Sequence, residues 1–439
     1  MTEATGIVQP QPAAESRPGI RSLLASTEVD TRLLGMLVAL AIIWIGFNVL
    51  SGGLFLTARN LWNLSVQTSA VAIMATGMVL IIVSRNIDLS IGSILGFVGY
   101  TMAMIQAIWI PTTLGLGFDQ PFTWIVALAV GILLGALIGG FQGVIIAYLK
   151  VPAFIVTLGG LLVWRGLIFE FQSGQTIAPV DKTFALLGGG PTGAIGELGS
   201  WAFGVIACFA IAATLVAGRR RRRKYGFPLR PIWAEFAIGI IGSAVVLGAV
   251  LVANSYPWPV SLAEQYAQQH NLAVPAGGLN IPTGIAFPVF IMIGVTLAMT
   301  FIATRLRFGR YVFAIGGNPE AAELGGINTR RTVMMTFVLM GVLCAISGAI
   351  QTARLNAGVT SLGVQNELDV IAAAVIGGTS FSGGIGTIPG AVLGAVVMQS
   401  LRSGMVLLRV DSPIQDIVVG TVLVGAVGLD TLIRRRSAR

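Results

Sequence analysis

"TSAVAIMATGMVLIIVSRNIDLSIGSILGFVGYTMAMIQAIWI", residues 68–110, holds two apolar runs, Thr68–Val83 and Leu89–Ile110, joined by a short polar hinge. Each run approaches the ~20 residues that carry a helix through a hydrocarbon layer of ~30 Å. The hinge packs Arg85, Asn86 and Asp88 into a connection too short to leave the membrane region comfortably. A central charge costs roughly 2.5–3.5 kcal/mol on insertion, so polar groups at that depth are usually functional or paired.

The rest of the chain repeats this pattern. Of its 439 residues 55% are hydrophobic and only 10% charged, and the mean hydropathy is +0.86, too little charge to cover a soluble surface of that size. Apolar spans fall at 33–55, 68–83, 89–110, 122–148, 153–172, 199–217, 233–255, 281–302, 332–352, 366–382, 387–401 and 413–432. They predict an all-α, polytopic membrane helix bundle of about 12 transmembrane or re-entrant helices. The spans 366–382 and 387–401 are separated only by "SGGI" and fit a re-entrant or broken pair as well as two full crossings.

Charge sorts by side. With the N-terminus in the cytoplasm, 21 of the 27 Lys and Arg residues fall in cytoplasmic segments and 5 (Arg59, Lys182, Arg354, Arg402, Arg409) on the other side, while Arg165 lies within a span. The positive-inside bias puts both termini in the cytoplasm and the chain in the plasma (inner) membrane as a multi-pass protein. Residues 1–32, rich in Pro, Gln, Ala and Glu, predict a disordered cytoplasmic tail. The first apolar run is too long for a cleaved leader and lacks a small-residue cleavage site. Residues 33–432 form the transmembrane domain, with a basic loop and extra span at 219–256 and a cytoplasmic loop at 303–331. Residues 433–439 are a basic cytoplasmic tail. The run "GRRRRRKYG", 218–226, accounts for much of the net charge of +9 and reads as a topology anchor attracted to anionic membrane lipid, not to nucleic acid.

The chain carries no recognisable catalytic pattern. Cys208 and Cys344 lie inside apolar runs, and His270 is alone in a polar loop. No phosphate-binding loop, HExxH, CxxC or GxSxG pattern occurs, so no catalytic residue, metal or cofactor is expected, and energy must come from an ion gradient or another polypeptide. Gly131, Gly135, Gly139 and Gly143 form one helix stripe and Gly386, Gly390 and Gly394 another, spacing that lets helices approach closely in lipid. Pro389, in the second stripe, is expected to start or kink its helix. The polar residues at membrane depth are Asn86, Asp88, Arg165, Glu170, Glu367, Asp369 and Asp416.

The most specific stretch is "FGRYVFAIGGNPEAAELGGINTRR", 308–331. Asn318 is a good N-cap, Pro319 suits the first helical turn, "EAAEL" favours helix, and Gly325-Gly326 ends it. A helix of about two turns between two spans is too short to be stable alone and needs a groove to sit in. Glu320, Ala321 and Ala322 followed by Gly326 resemble the EAA-type coupling loop of binding-protein-dependent ABC transporter permeases. The Ile-x-Leu-Pro element of the commonest form is absent; residues 336–339 read "TFVL". That departure fits the ribose/xylose-type sugar permeases, which "NIDLSIGS", "GRYVFAIGGNPEAAELGGIN" and "ELDVIAAAVIGGTSFSGGIGT" also resemble in the expected order. The extra span near 219–256 is similar to the xylose type.

The resemblance implies the permease subunit of an importer for a monosaccharide, most like D-xylose or a related pentose. It implies a homodimer of permeases, a cytoplasmic ABC ATPase and an external sugar-binding protein as partners. Asn318, Pro319, Glu320, Ala321, Ala322 and Gly326 would then couple to the ATPase. Asn86, Asp88, Arg165, Glu367 and Asp369 are candidates for the substrate pathway or its gate, with Arg165 as a counter-charge, or alternatively for structural pairs. Two other readings stand beside this one. The first is an ABC permease for ribose, galactose, an autoinducer or a branched-chain amino acid. The second is an ion-coupled secondary transporter, which leaves the capped loop helix unexplained.

Overall fold

The computed structural model describes residues 31–437 apart from 273, 276 and 277, with side chains described at 33–428 except at those three positions. The N-terminal tail expected at 1–32 lies outside the described residues up to 30, as do residues 438–439 of the basic tail. The described chain is nearly all helical: α1 Thr31–Leu50, α2 Ala58–Val83, α3 Ile91–Met104, α4 Thr123–Ala147, α5 Ala153–Phe171, α6 Lys182–Ala185, α7 Gly196–Lys224 and α8 Ile232–Asn254. There follow α9 Val260–Gln269, α10 Phe287–Arg305, α11 Arg307–Gly317, α12 Pro319–Leu324, α13 Thr329–Leu355, α14 Asn366–Ile376, α15 Ile388–Leu407 and α16 Ser412–Ser437. A π-helix, Ile105–Thr113, prolongs α3. Among the described residues ten helices are long and apolar enough to cross a bilayer, and α16 adds a shorter apolar stretch, Ser412–Gly428.

The sequence-based span at 366–382 is the one that changes most. Only its first 11 residues are helical, and ~16 Å of helix reaches about halfway through a ~30 Å core. A helix-free stretch, 356–365, precedes α14, and the turn Gly377–Thr387 follows it. Asn356 and Gln365 bound the first stretch with left-handed backbone, φ +51° and +62°. α15 begins at Ile388 with Pro389 in its first turn, where the missing N–H costs nothing.

The chain falls into two compact units. The smaller contains residues 205–246, a helical hairpin made by the ends of α7 and α8 that face its turn. Arg219 closes that turn by pairing with Glu235 at 2.8 Å and donating to the Arg230 carbonyl at 3.2 Å. Arg220, Arg221, Arg223 and Lys224 remain exposed on the helix end.

The larger unit contains residues 32–204 and 247–437. Its centre is α2, almost wholly buried from Thr68 to Val83, flanked by α13, α14 and α15. The glycine stripes make its tightest seams. A Cβ on Gly135 or Gly139 of α4 would collide with the carbonyl of Gly341 or Phe337 on α13, and one on Gly390 or Gly394 of α15 with the carbonyl of Gly377 or Ala373. Helix backbones in contact gain dispersion that the apolar lipid does not supply in the same density.

Candidate functional site: a polar chamber and a capped helix at opposite ends of α13

α13 is 27 residues long, ~40 Å, and carries a distinct feature at each end. Just before its first residue stands α12. Its N-terminus is capped as the residue types require: Asn318 Oδ1 accepts from Ala321 N at 3.0 Å, and Pro319 occupies the first turn. Its C-terminus closes with two hydrogen bonds, Ile327 N to Ala322 O at 3.1 Å and Gly326 N to Glu323 O at 2.9 Å, with Gly326 at φ +81°. This 6→1 and 5→2 pairing needs the left-handed residue that glycine supplies. Ala322 is buried beneath, Glu320 and Ala321 face outward, and Leu324 is 90% exposed.

The polar hinge after α2 fastens this loop to the bundle. Arg85 ends α2 in the left-handed region, φ +64°, a costly conformation for a side chain of its size. The cost is offset by its guanidinium, which donates from Nε to Gly316 O and from Nη2 to Gly317 O, both at 2.8 Å, at the end of α11. Asn86 donates back to Ser84 O at 3.0 Å. Asp88 is buried, and its Oδ1 accepts from Ser90 N at 2.9 Å and Ser90 Oγ at 2.6 Å, fixing the start of α3. Neither Arg85 nor Arg165 bonds to it.

At the other end of α13 lies a cavity of about 200 Å3, between α2 (Val66, Gln67, Ala70, Val71), α13 (Ile350, Gln351, Arg354, Leu355), Val364 with α14 (Asn366, Asp369) and α15 (Gln399, Arg402). Ile350 is 21 residues along α13 from Thr329, ~30 Å from the capped helix. Seven of the thirteen lining side chains are polar or charged. Towards the capped helix the same elements pack solid, with Met74, Met78, Met340, Leu343 and Met398 all buried.

Asp369 is 2% exposed, and its Oδ2 lies 2.6 Å from Arg402 Nε, an ionic contact without directed hydrogen-bond geometry. Three buried atoms of the chamber's lining residues, Asp369 Oδ1, Asn366 Nδ2 and Arg402 Nε, complete no hydrogen bond within the protein. Gln399 and Arg402 both reach the same carboxylate with their side chains.

The sequence-derived set divides accordingly. Only Asp369 lines the chamber. Glu367 packs instead against Gly92 of α3. Arg165 donates to the carbonyls of Thr360 and Leu362 at 3.1 and 2.8 Å, bracing the helix-free stretch, with Glu367 within its electrostatic reach. The partner of Asp369 is Arg402, which charge sorting counts as a side marker. Asp416 accepts from Gln365 at 2.9 Å, and Glu170 is exposed. Gln67, Gln351, Arg354, Asn366, Gln399 and Arg402 escape a search for charges in span centres. The amides carry no charge signal, and the arginines sit near span ends, where arginine is ordinary. The one legible cue is the i, i+3 spacing of Asn366 and Asp369. Among the described residues no group of three or more His, Cys, Asp or Glu is arranged to hold a metal ion.

A helical membrane bundle with a polar chamber at one end of its long helix α13 and a capped, exposed helix at the other has the parts of a transporter's membrane subunit. Residues 60–427 match the model of the family described as branched-chain amino acid transport system / permease component, and the chain belongs to that family of permeases. The xylose transport system permease protein of Haemophilus influenzae is 36% identical over 403 residues, covering 92% of this chain and 97% of that one. Its Escherichia coli K12 counterpart is 36% identical over 426 residues, 97% of each chain. The ribose import permease protein of the same strain is 32% identical over 398 residues, 91% of this chain and 92% of that one. No solved structure matches the chain.

Proposed function

We propose that this chain is the membrane-spanning subunit of an ABC importer for a monosaccharide, D-xylose or a closely related pentose, powered by a separate ATPase. The observation that carries the reading is the arrangement along α13: a polar chamber at one end and a capped helix with an exposed Leu324 at the other. The full-length similarity to xylose permeases supports the choice of sugar. In this reading both termini and α12 face the cytoplasm. Asn318, Pro319, Glu320, Ala321, Ala322 and Gly326 form the contact to the ATPase, and the chamber opens towards an external sugar-binding protein. A second permease copy completes the complex, and the exposed arginines of the 205–246 hairpin attract anionic lipid headgroups.

Glu367, Asp369 and Arg165 act along the path around the broken segment 356–376. Asn86 and Asp88 act through the hinge at the start of α3, as a gate. Sugar hydroxyls donate and accept hydrogen bonds, so a lining of amides and an internally neutralised acid suits them, provided the contacts release the solute. Solid packing below the chamber supports a resting form closed towards the cytoplasm, which ATP-driven motion must open. Reconstitution with the ATPase and binding protein, followed by ATP hydrolysis across several sugars, tests the proposal. Stimulation greatest with xylose is expected. Stimulation by branched-chain amino acids alone, or uptake driven by an ion gradient without the ATPase, overturns it.

A further inference from the structure

We propose that the turn 377–387 receives the displacement of α12 and passes it to the α14–α15 pair, through a joint of Gly316, Gly383 and Gly384 locked by Arg85. The inference rests on the importer reading and adds to it the route by which the ATPase reaches the chamber. The segments of the joint meet backbone to backbone. Gly384 N donates to Val83 O, at the end of α2, at 3.0 Å. A Cβ on Gly316 would collide with that same carbonyl and with Gly384 N, and one on Gly383 with the Gly316 carbonyl and the Arg85 side chain. Arg85, bonded to Gly316 O and Gly317 O, therefore clasps the end of α11 against the turn. Asn318, the cap of α12, follows Gly317 directly, so a shift of α12 reaches this contact at once.

The turn is closed on itself and continuous with the chamber. Ser380 N donates to Ile385 O at 2.9 Å, and Gly383 N to Ser380 O at 3.0 Å. Beyond it, the close backbone contacts of Gly390 on Gly377 and of Gly394 on Ala373 tie α14 and α15 into one body. That body carries Asn366, Asp369, Gln399 and Arg402 of the chamber lining. Left-handed backbone bounds it at both ends, Gln365 at φ +62° and Arg409 at φ +55°, each outside regular helix. Hinges are a few such element-terminal residues that absorb a change of angle. The alternative route, along α13, is built differently. α13 is pinned to α4 by the backbone contacts at Gly341 and Phe337, and its link to α12 runs through Gly326, which has open space around it. Close packing transmits strain, and an open glycine link absorbs it.

The test uses the full-length permease reconstituted with its ATPase and sugar-binding protein, in a background without Cys208 and Cys344. One cysteine, Glu323→Cys, reports α12, and another, Val364→Cys, reports the chamber side of α14. Each is labelled with a thiol reagent before and after trapping with ATP and vanadate. With the joint intact, both labelling rates should change several-fold. Arg85→Ala should keep the response at Glu323→Cys and hold ATP hydrolysis within about twofold. It should abolish the response at Val364→Cys and lower xylose uptake several-fold. Gly316→Ala, which wedges the joint instead of unfastening it, should do the same, and the double variant should be no worse than either alone. Arg85→Lys, which reaches one carbonyl where the guanidinium fork reaches two, should recover part of the Val364→Cys response. If Arg85→Ala does not fold, Gly316→Ala and Arg85→Lys carry the test. A Val364→Cys response that persists in Arg85→Ala and Gly316→Ala overturns the proposal. Equal loss at both cysteines also overturns it, since Arg85 would then only support α12. A response at Glu323→Cys without one at Val364→Cys in the intact joint overturns it and leaves the importer reading standing. Uptake that needs no ATPase removes the importer reading, and the joint with it.

Discussion

The capped helix α12 and the polar chamber stand at the two ends of α13, yet they are built by opposite means. α12 is a local object: Asn318, Pro319 and the Gly325-Gly326 pair close it within nine consecutive residues, and its one large apolar side chain is left open. The chamber is non-local: its walls come from residues 66–71, 350–355, 364–369 and 399–402. A local device tolerates small defects, because each cap contributes about 1 kcal/mol. A non-local polar wall does not, because each buried charge depends on one distant partner.

The largest effect is expected from Arg402→Leu, which strands Asp369 as a nearly buried, uncompensated carboxylate. A loss of about 3 kcal/mol is expected, read as a clear drop in melting temperature in detergent. Asp369→Asn/Arg402→Gln should recover most of that stability. An unchanged melting temperature for the single variant would show that the pair is solvated and the chamber wall soft.

Next in size come changes on the exposed face of α12, the proposed contact to the ATPase. Glu320→Lys and Ala321→Trp alter exposed positions, so membrane level and melting temperature should hold while coupled uptake falls at least tenfold. Retained transport and retained assembly with the ATPase would assign the helix another task. Arg85→Ala should fall between the two classes. It removes both bonds to Gly316 and Gly317 and leaves a left-handed position unsupported. A several-fold loss of coupling with a modest loss of stability is the expected pattern. Asn318→Ala should cost about 1 kcal/mol locally and reduce coupling only a few-fold, since docking refolds a frayed turn.

Sidedness gives a qualitative check on the comparison. Single cysteines at Ser261 and Glu323, in a background without Cys208 and Cys344, should react with an impermeant thiol reagent from opposite sides of the membrane. Labelling of both from one side would place α12 and the chamber against the same compartment.

The smallest effect expected is a pH dependence outside the spans. Burial pushes the Asp181 carboxyl above its ordinary value of 3.8, while Lys182, through its backbone N–H, holds neighbouring Asp119 below it. A raised acid binds more protons folded than unfolded, so Asp181 subtracts stability as pH rises from 3.8 through its folded value. Asp119 works in the opposite sense and gives up its contribution as pH falls below 3.8. Asp181→Asn should flatten the decline above 3.8 in melting temperature against pH, by a degree or two. The same slope in both proteins would mean the loop is hydrated in solution.

By itself the sequence determined what depends on neighbouring residues or on transfer to lipid. The bundle of spans follows from runs of apolar side chains. The helix at Pro319–Leu324 follows from its caps, and the seams at Gly135, Gly139, Gly390 and Gly394 follow from a four-residue stripe. Membrane-depth polarity named Asp369 only as one of seven residues, with Asn86, Asp88, Arg165, Glu170, Glu367 and Asp416. Tertiary structure decided the rest. The half-length of α14 depends on how residues 356–365 thread beside α3, where Arg165 holds the carbonyls of Thr360 and Leu362. Arg165 and Arg402 are both plausible partners for Asp369 in one dimension. Packing α14 antiparallel to α15 brings Arg402 to 2.6 Å and leaves Arg165 on the backbone. The chamber amides were invisible for the same reason: an uncharged Gln or Asn declares a polar site only when helices far apart in sequence converge around it.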